Sequence, residues 1–274
     1  MIKQLLAAAT ALATLAPAQA VVTFTSPGFA YGQSFDGLVA SGSGNPWTND
    51  ATLPGWYLFI SNGAAAPSYN ADNGGSNAGA FRSFGATDSA ERALGGVASG
   101  GTYWGSPGPA SGALAGHFAV GFSYAGSTPL AGFTIGFNGE QWRNGGNTAA
   151  QSMVLEYGFG ATFAGVSNWT APGGSFDWAS PVVGNVAAAV DGNTAGRVGA
   201  RGGSVATPWE PGQTLWIRWI ERNDVGNDHG LAIDDFSFAV TPVPEPGMGT
   251  MLLAGLAAVG LLARRRAVPA KGQA

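Results

Sequence analysis

Cysteine is absent from the 274-residue chain, and histidine occurs only at His117 and His229. Without cysteine there is no disulfide framework and no thiolate metal site. With two histidines, His-centred catalytic triads and His-rich metal centres have almost no members to draw on. Lysine is missing from the whole stretch between Val21 and Val243, where the basic residues are Arg82, Arg92, Arg143, Arg197, Arg201, Arg218 and Arg222. Those seven arginines stand against fifteen acidic residues, a formal net charge of −8. Phosphate binding needs a basic surface, so this balance excludes nucleic acid as a partner and suits divalent cations or neutral sugars. Apolar residues spaced three and four apart are also lacking, and 45 glycines penalise helix by about 1 kcal/mol each relative to alanine.

The two long apolar runs lie at the chain ends. Lys3 precedes an apolar run from Leu5 to Ala16, followed by Pro17-Ala18-Gln19-Ala20. A basic start, a short apolar stretch and a small-x-small ending read as a secretory signal over 1–20, cleaved by signal peptidase after Ala20. At the other end, Pro244-Glu245-Pro246 leads into an apolar stretch from Met248 to Ala263 and then Arg264-Arg265-Arg266. As a transmembrane helix that stretch covers roughly 24 Å, slightly under a bilayer core of about 30 Å. The three arginines stay cytoplasmic by the positive-inside rule, with 269–274 as a short cytoplasmic tail. Both topology signals therefore place 21–241 outside. A domain of roughly 220 residues buries enough core to need no covalent staples.

Within 21–241, short apolar or alternating segments recur between Gly, Asn, Asp and Pro clusters. Strands are predicted at Phe81–Phe84, Arg92–Val97, His117–Tyr124, Phe133–Asn138, Met153–Phe159, Leu215–Glu221 and Leu231–Val240. The fold class is all-β, a single jelly-roll or β-sandwich domain. Asn144-Gly145-Gly146-Asn147 and the run Asn223–Gly230 read as hairpin turns. The Gly/Asn/Ala-rich stretch 64–79 reads as a long surface loop. Trp216 and Trp219, on a strand apolar on both faces, belong to the core.

The tail resembles the PEP-CTERM sorting signal: Pro244-Glu245-Pro246, an apolar span and the cluster Arg264-Arg265-Arg266 stand in the order of that signal, over 242–268. The resemblance implies recognition by an exosortase-type processing enzyme, cleavage near Pro-Glu-Pro, and transient anchoring in the inner membrane before release to, or retention at, the cell surface. An ordinary tail anchor behind a proline-rich linker is the plainer alternative, and export survives either reading. The segments Leu53-Pro54-Gly55-Trp56-Tyr57, Glu140-Gln141-Trp142-Arg143-Asn144-Gly145-Gly146 and Asn227–Phe236 resemble a recurrent module of exported bacterial proteins. Ile233-Asp234-Asp235-Phe236-Ser237 further resembles the last strand of jelly-roll carbohydrate-binding modules, which implies a structural calcium shared with an acidic residue near the domain start. Asp36 fills that place, giving Asp36, Asp234 and Asp235 as metal ligands. On one strand Asp234 and Asp235 point to opposite faces, so one ion does not take both side chains directly. Asp224–Asp228 is no EF-hand loop, because His229 occupies the position that requires glycine; turn chemistry explains it.

Trp47, Trp56 and Trp142 stand in turn-rich context and are the candidate platforms for stacking on pyranose rings of an extracellular polysaccharide. Enzyme signals are sparse: Gly121-Phe122-Ser123-Tyr124-Ala125 lacks the second glycine of a nucleophile elbow. Glu140 and Glu156, facing one another across a hairpin, offer the least unlikely alternative, a glycoside hydrolase or other polysaccharide-active enzyme. The sequence as a whole points to a non-catalytic cell-surface or matrix-associated protein that binds polysaccharide or serves structurally in the envelope.

Overall fold

The computed structural model describes residues 21–244, together with 256, 257 and 259. The signal segment 1–20 with Ala20, Glu245, Pro246, the arginine cluster and nearly all of the expected span 248–263 lie outside the described residues; 256, 257 and 259 are helical. No helix among the described residues is long and apolar enough to cross a membrane.

Two β-sheets pack face to face, so the expected sandwich is what the chain forms. The first sheet holds β1 (Val22–Phe24), β4 (Trp56–Ile60), β8 (Leu114–Tyr124), β10 (Ser152–Phe159), β11 (Trp178–Ala179) and β14 (Thr214–Arg222). Its order is β1-β8-β14-β10-β11, with β4 also on β8. The second holds β2 (Ala30–Gln33), β3 (Asn45–Pro46), β5 (Ser68–Asp72), β6 (Ala80–Phe84), β7 (Ala93–Val97), β9 (Leu130–Asn144), β12 (Ala188–Ala189), β13 (Arg197–Trp209) and β15 (Gly230–Pro242). It runs β12-β9-β15-β7-β6-β5-β3, with β13 on β9 and β2 on β15. Strand structure thus runs from Val22 to Pro242.

The sequence of β14 explains its place at the centre of the first sheet. Leu215, Ile217 and Trp219 point inward to the main core, while Trp216 lies on the other face in a smaller cluster with Tyr57, Phe59, Phe163 and Val166. Trp216 and Trp219 are both fully buried, as expected, but on opposite faces. Between the sheets Trp56 stacks on Trp219 at 5.9 Å and meets Phe236 edge-on at 5.4 Å. Each such aromatic contributes about 1.5–3 kcal/mol by burial.

All seven expected strands form, but their connections differ from expectation. Asn144–Asn147 joins β9 of the second sheet to β10 of the first, and 223–229 joins β14 of the first to β15 of the second. Neither is a hairpin. Asn-Gly chemistry reverses the chain without deciding whether the next strand pairs in the same sheet or crosses to the other. The two crossings meet at one end of the sandwich: Asn147 Nδ2 donates to the carbonyls of Val225 (2.9 Å) and Asn227 (3.1 Å). The Gly145 N–H donates to His229 Nδ1 at 2.9 Å. The expected loop 64–79 contains β5, which pairs with β3 and β6 and buries Tyr69. β13, largely exposed and glycine-rich, is a strand because β9 offers it an edge, not because it carries an apolar stripe.

Candidate functional site

Three carboxylates converge on the outward side of the second sheet. In the β9–β15 ladder Asn138 is opposite Asp234 and Glu140 is opposite Ala232, so Asn138, Glu140 and Asp234 share one face. Glu91 stands just before β7, the other neighbour of β15. One oxygen each from Glu91, Glu140 and Asp234 lies within 4.8 Å of the others. Glu140 and Asp234 are buried and Glu91 is half-buried.

Few donors serve these oxygens. The Trp142 indole N–H donates to Glu140 Oε2 at 2.9 Å, and Asn193 Nδ2 donates to Glu91 Oε2 at 2.5 Å. The Asp235 amide donates to the Asp234 carboxylate. Asp234 Oδ1 and Glu91 Oε1 are buried without a hydrogen-bond partner. Burial pushes the Glu140 carboxyl up to about 7, opposed by the Trp142 hydrogen bond and aided by the charges of Glu91 and Asp235. Burial likewise holds Asp234 well above the carboxylate range, with Glu140, Asp235 and Glu91 adding repulsion.

The structure separates the residues expected to share a metal. Asp234 belongs to the cluster, but Asp36 does not: it is exposed, accepts Ser34 Oγ at 2.9 Å, and accepts the Arg92 amide at 3.0 Å, fastening its turn to the start of β7. Asp235 departs from simple alternation. The β9–β15 register shifts between Asp234 and Ser237, and Asp235 has φ +50°. This bulge brings its carboxylate to Asn138 Nδ2 at 2.7 Å, on the face that Asp234 occupies. Glu91 and Glu140 were not among the expected ligands. The legible signal was Glu140 itself, an acidic residue in the polar second half of a strand whose first half is apolar and glycine-rich.

The tryptophans expected to stack on sugar are enclosed. Trp47 (5% exposed) meets Tyr69 edge-on and donates to Asn49 Oδ1; Trp56 (0%) lies between the sheets. Trp142 (2%) stacks on Phe84 and is capped by the chain at Gly192, where a Cβ would sit 2.3 Å from its Nε1. As placed, none presents a face to a pyranose ring. Turn-rich sequence says nothing of where a side chain points, and large aromatics go inward by default. Trp169 is half-exposed, with the Arg218 guanidinium 3.8 Å from its ring centroid. Glu140 and Glu156 also part company: β9 and β10 lie in different sheets, and Glu156 is ion-paired with Arg218 at 2.5 Å.

A second feature lies where the two inter-sheet crossings meet. A groove of about 300 Å³ is lined by polar groups including Asn77, Arg143, Asn223, Asn227 and Asp228. The Arg143 guanidinium is fixed by the carbonyls of Gly74 and Gly75, both at 2.9 Å. Asp228 accepts the Asp224 amide at 2.7 Å, and burial together with the Asp224 charge raises its carboxyl to about 7.

The C-terminal residues 242–266 match the family model of the PEP-CTERM protein-sorting motif. The match begins at Pro242, the last residue of β15, and Val243 and Pro244 beyond it are exposed, so the motif starts where the sheet stops. No curated protein matches the chain. The fold and the tail together define the class: an exported β-sandwich sorted by exosortase. It is anchored transiently in the membrane through its C-terminal region and then resides at the cell surface or outside the cell.

Proposed function

We propose that this exported β-sandwich is a non-catalytic surface or matrix protein that binds extracellular polysaccharide in the polar groove between its two inter-sheet crossings. The observation that carries the reading is the groove lining. Amide, guanidinium and carboxylate groups at Asn77, Asn223, Asn227, Arg143 and Asp228 both donate and accept, as sugar hydroxyls require. The enclosed tryptophans move the recognition from aromatic stacking to hydrogen bonding. On the route outward, signal peptidase acts after Ala20 and exosortase near Pro244-Glu245-Pro246, while Arg264, Arg265 and Arg266 hold the tail inside.

The test is binding of the protein purified after export to a broad glycan array, alongside Asn227→Ala and Asp228→Asn. Binding that both variants weaken supports the groove; no binding across the array removes the proposal. A hydrolytic alternative rests on the raised Asp228 carboxyl inside the groove. Release of new reducing ends, lost in Asp228→Asn, would replace binding by hydrolysis.

A further inference from the structure

We propose that Glu91, Glu140 and Asp234 form a binding site for a divalent cation of the calcium class, which ties three distant parts of the second sheet together. The inference is independent of the groove.

The first argument is spacing. Calcium binds oxygens at about 2.3–2.6 Å, so two ligands of one ion stand at most about 5 Å apart. The three carboxylates offer oxygens within 4.8 Å of one another, a span that calcium reaches. The second is the state of individual atoms. Asp234 is 5% exposed, and its Oδ1 is buried in the cluster without a partner, as is Glu91 Oε1. Buried carboxylate oxygens are stabilised only by hydrogen bonds, a cation or a proton. The third is the charge around them. Among the described residues the ion pairs are Arg82–Asp72 and Arg218–Glu156, and neither involves the cluster; Arg197, opposite Glu140 in the β9–β13 ladder, moderates its charge without pairing with it. The donor set is all oxygen, without cysteine or histidine, which suits a hard cation.

The ligands come from the turn before β7, from β9 and from β15, separated by 49 and 94 positions in the chain. An ion there closes long loops of the unfolded chain and locks the bulge at Asp235 against the centre of the sheet. Glu91, half-buried, stands at the solvent side and gives the ion its way in.

The experiment uses the protein purified after export, stripped with chelator, and titrated with terbium and then calcium. The Trp142 indole touches Glu140, so an ion in the cluster lies within reach of tryptophan-sensitised terbium luminescence. Saturable emission, displaced by calcium, and a calcium-dependent rise in Tm are expected. Glu140→Gln and Asp234→Asn abolish both, and Glu91→Gln, at the half-buried edge and least apt to disturb folding, weakens binding by about tenfold or more. Glu156→Gln, in the other sheet, leaves both unchanged. Absence of saturable emission and of any Tm shift overturns the proposal in favour of carboxyls that share protons. Emission that survives Glu91→Gln at full affinity overturns it in favour of a cation elsewhere.

Discussion

The Trp142 indole N–H donates to Glu140 Oε2 at 2.9 Å, across two positions of one strand on one face. Sequence logic gives these residues separate roles, a sugar platform and a catalytic carboxylate. In the fold they are one unit: the indole serves a buried acid, and Phe84 stacks on the indole at 6.2 Å.

Substituting Trp142 therefore affects stability before it affects recognition. Trp142→Phe keeps the packing on Phe84 but removes a donor from a buried carboxylate, a loss of about 1–3 kcal/mol. Trp142→Ala also opens a cavity and costs about 3–5 kcal/mol. Denaturant unfolding reads both. Glycan affinity, measured on protein that remains folded, is unchanged in Trp142→Phe; a selective loss of affinity at full stability contradicts the enclosed indole.

The carboxyls behind the groove set a pH dependence of known sign. Glu221 is fully buried and held well above its ordinary value by burial, then by the charges of Asp228 and Asp224; Asp228 is raised to about 7. Groups with raised folded-state values bind more protons folded than unfolded. Their stability contribution is full below the ordinary carboxyl range and is lost as pH rises through the folded value. Glu221→Gln removes its ionisation penalty. The variant is expected to gain Tm over the wild type as pH rises above the ordinary carboxyl range, with the gap widening as pH rises. A gap independent of pH contradicts the assignment.

On the same strand, β14, Arg218 bonds Glu156 and covers Trp169. The pair is largely shielded, with side-chain exposures of 15% and 19%. Arg218→Met strips the counter-charge from Glu156 while keeping most of the apolar stem. A cost of about 1–3 kcal/mol is expected, with a change in Trp169 fluorescence. Glu156→Gln, which keeps an acceptor for the guanidinium, costs less. Equal losses in the two variants would mean that the cation–ring contact is irrelevant.

What the sequence shows of this fold depends on how far each feature reaches. Leu215-Trp216-Ile217-Arg218-Trp219-Ile220 declares a strand because the apolar pattern is local. β13 hides, since its Gly199, Gly202 and Gly203 carry no side chain to form a stripe and its pairing is supplied by β9. The inter-sheet crossings hide for the same reason: turn residues specify a reversal, not a destination. In the carboxylate cluster Asp234 was legible from its strand, but Glu91 and Glu140 join it only through the register of β9, β15 and β7. The bulge at Asp235 breaks the alternation on which the expected ligand geometry rested.

The junction between sandwich and tail carries the last prediction. β15 ends at Pro242, where the sorting motif begins, and Val243 and Pro244 are exposed, so cutting beyond them removes no strand from the sheet. Protein recovered from the medium is expected to show an intact mass that ends near Pro244-Glu245-Pro246, with a Tm equal to that of the membrane-held form. Replacing Glu245 and Pro246 with alanine should leave the chain in the membrane fraction at its uncleaved mass, with the sandwich equally stable. If processing instead lowers Tm by several degrees, the tail contributes to the fold and is more than an address.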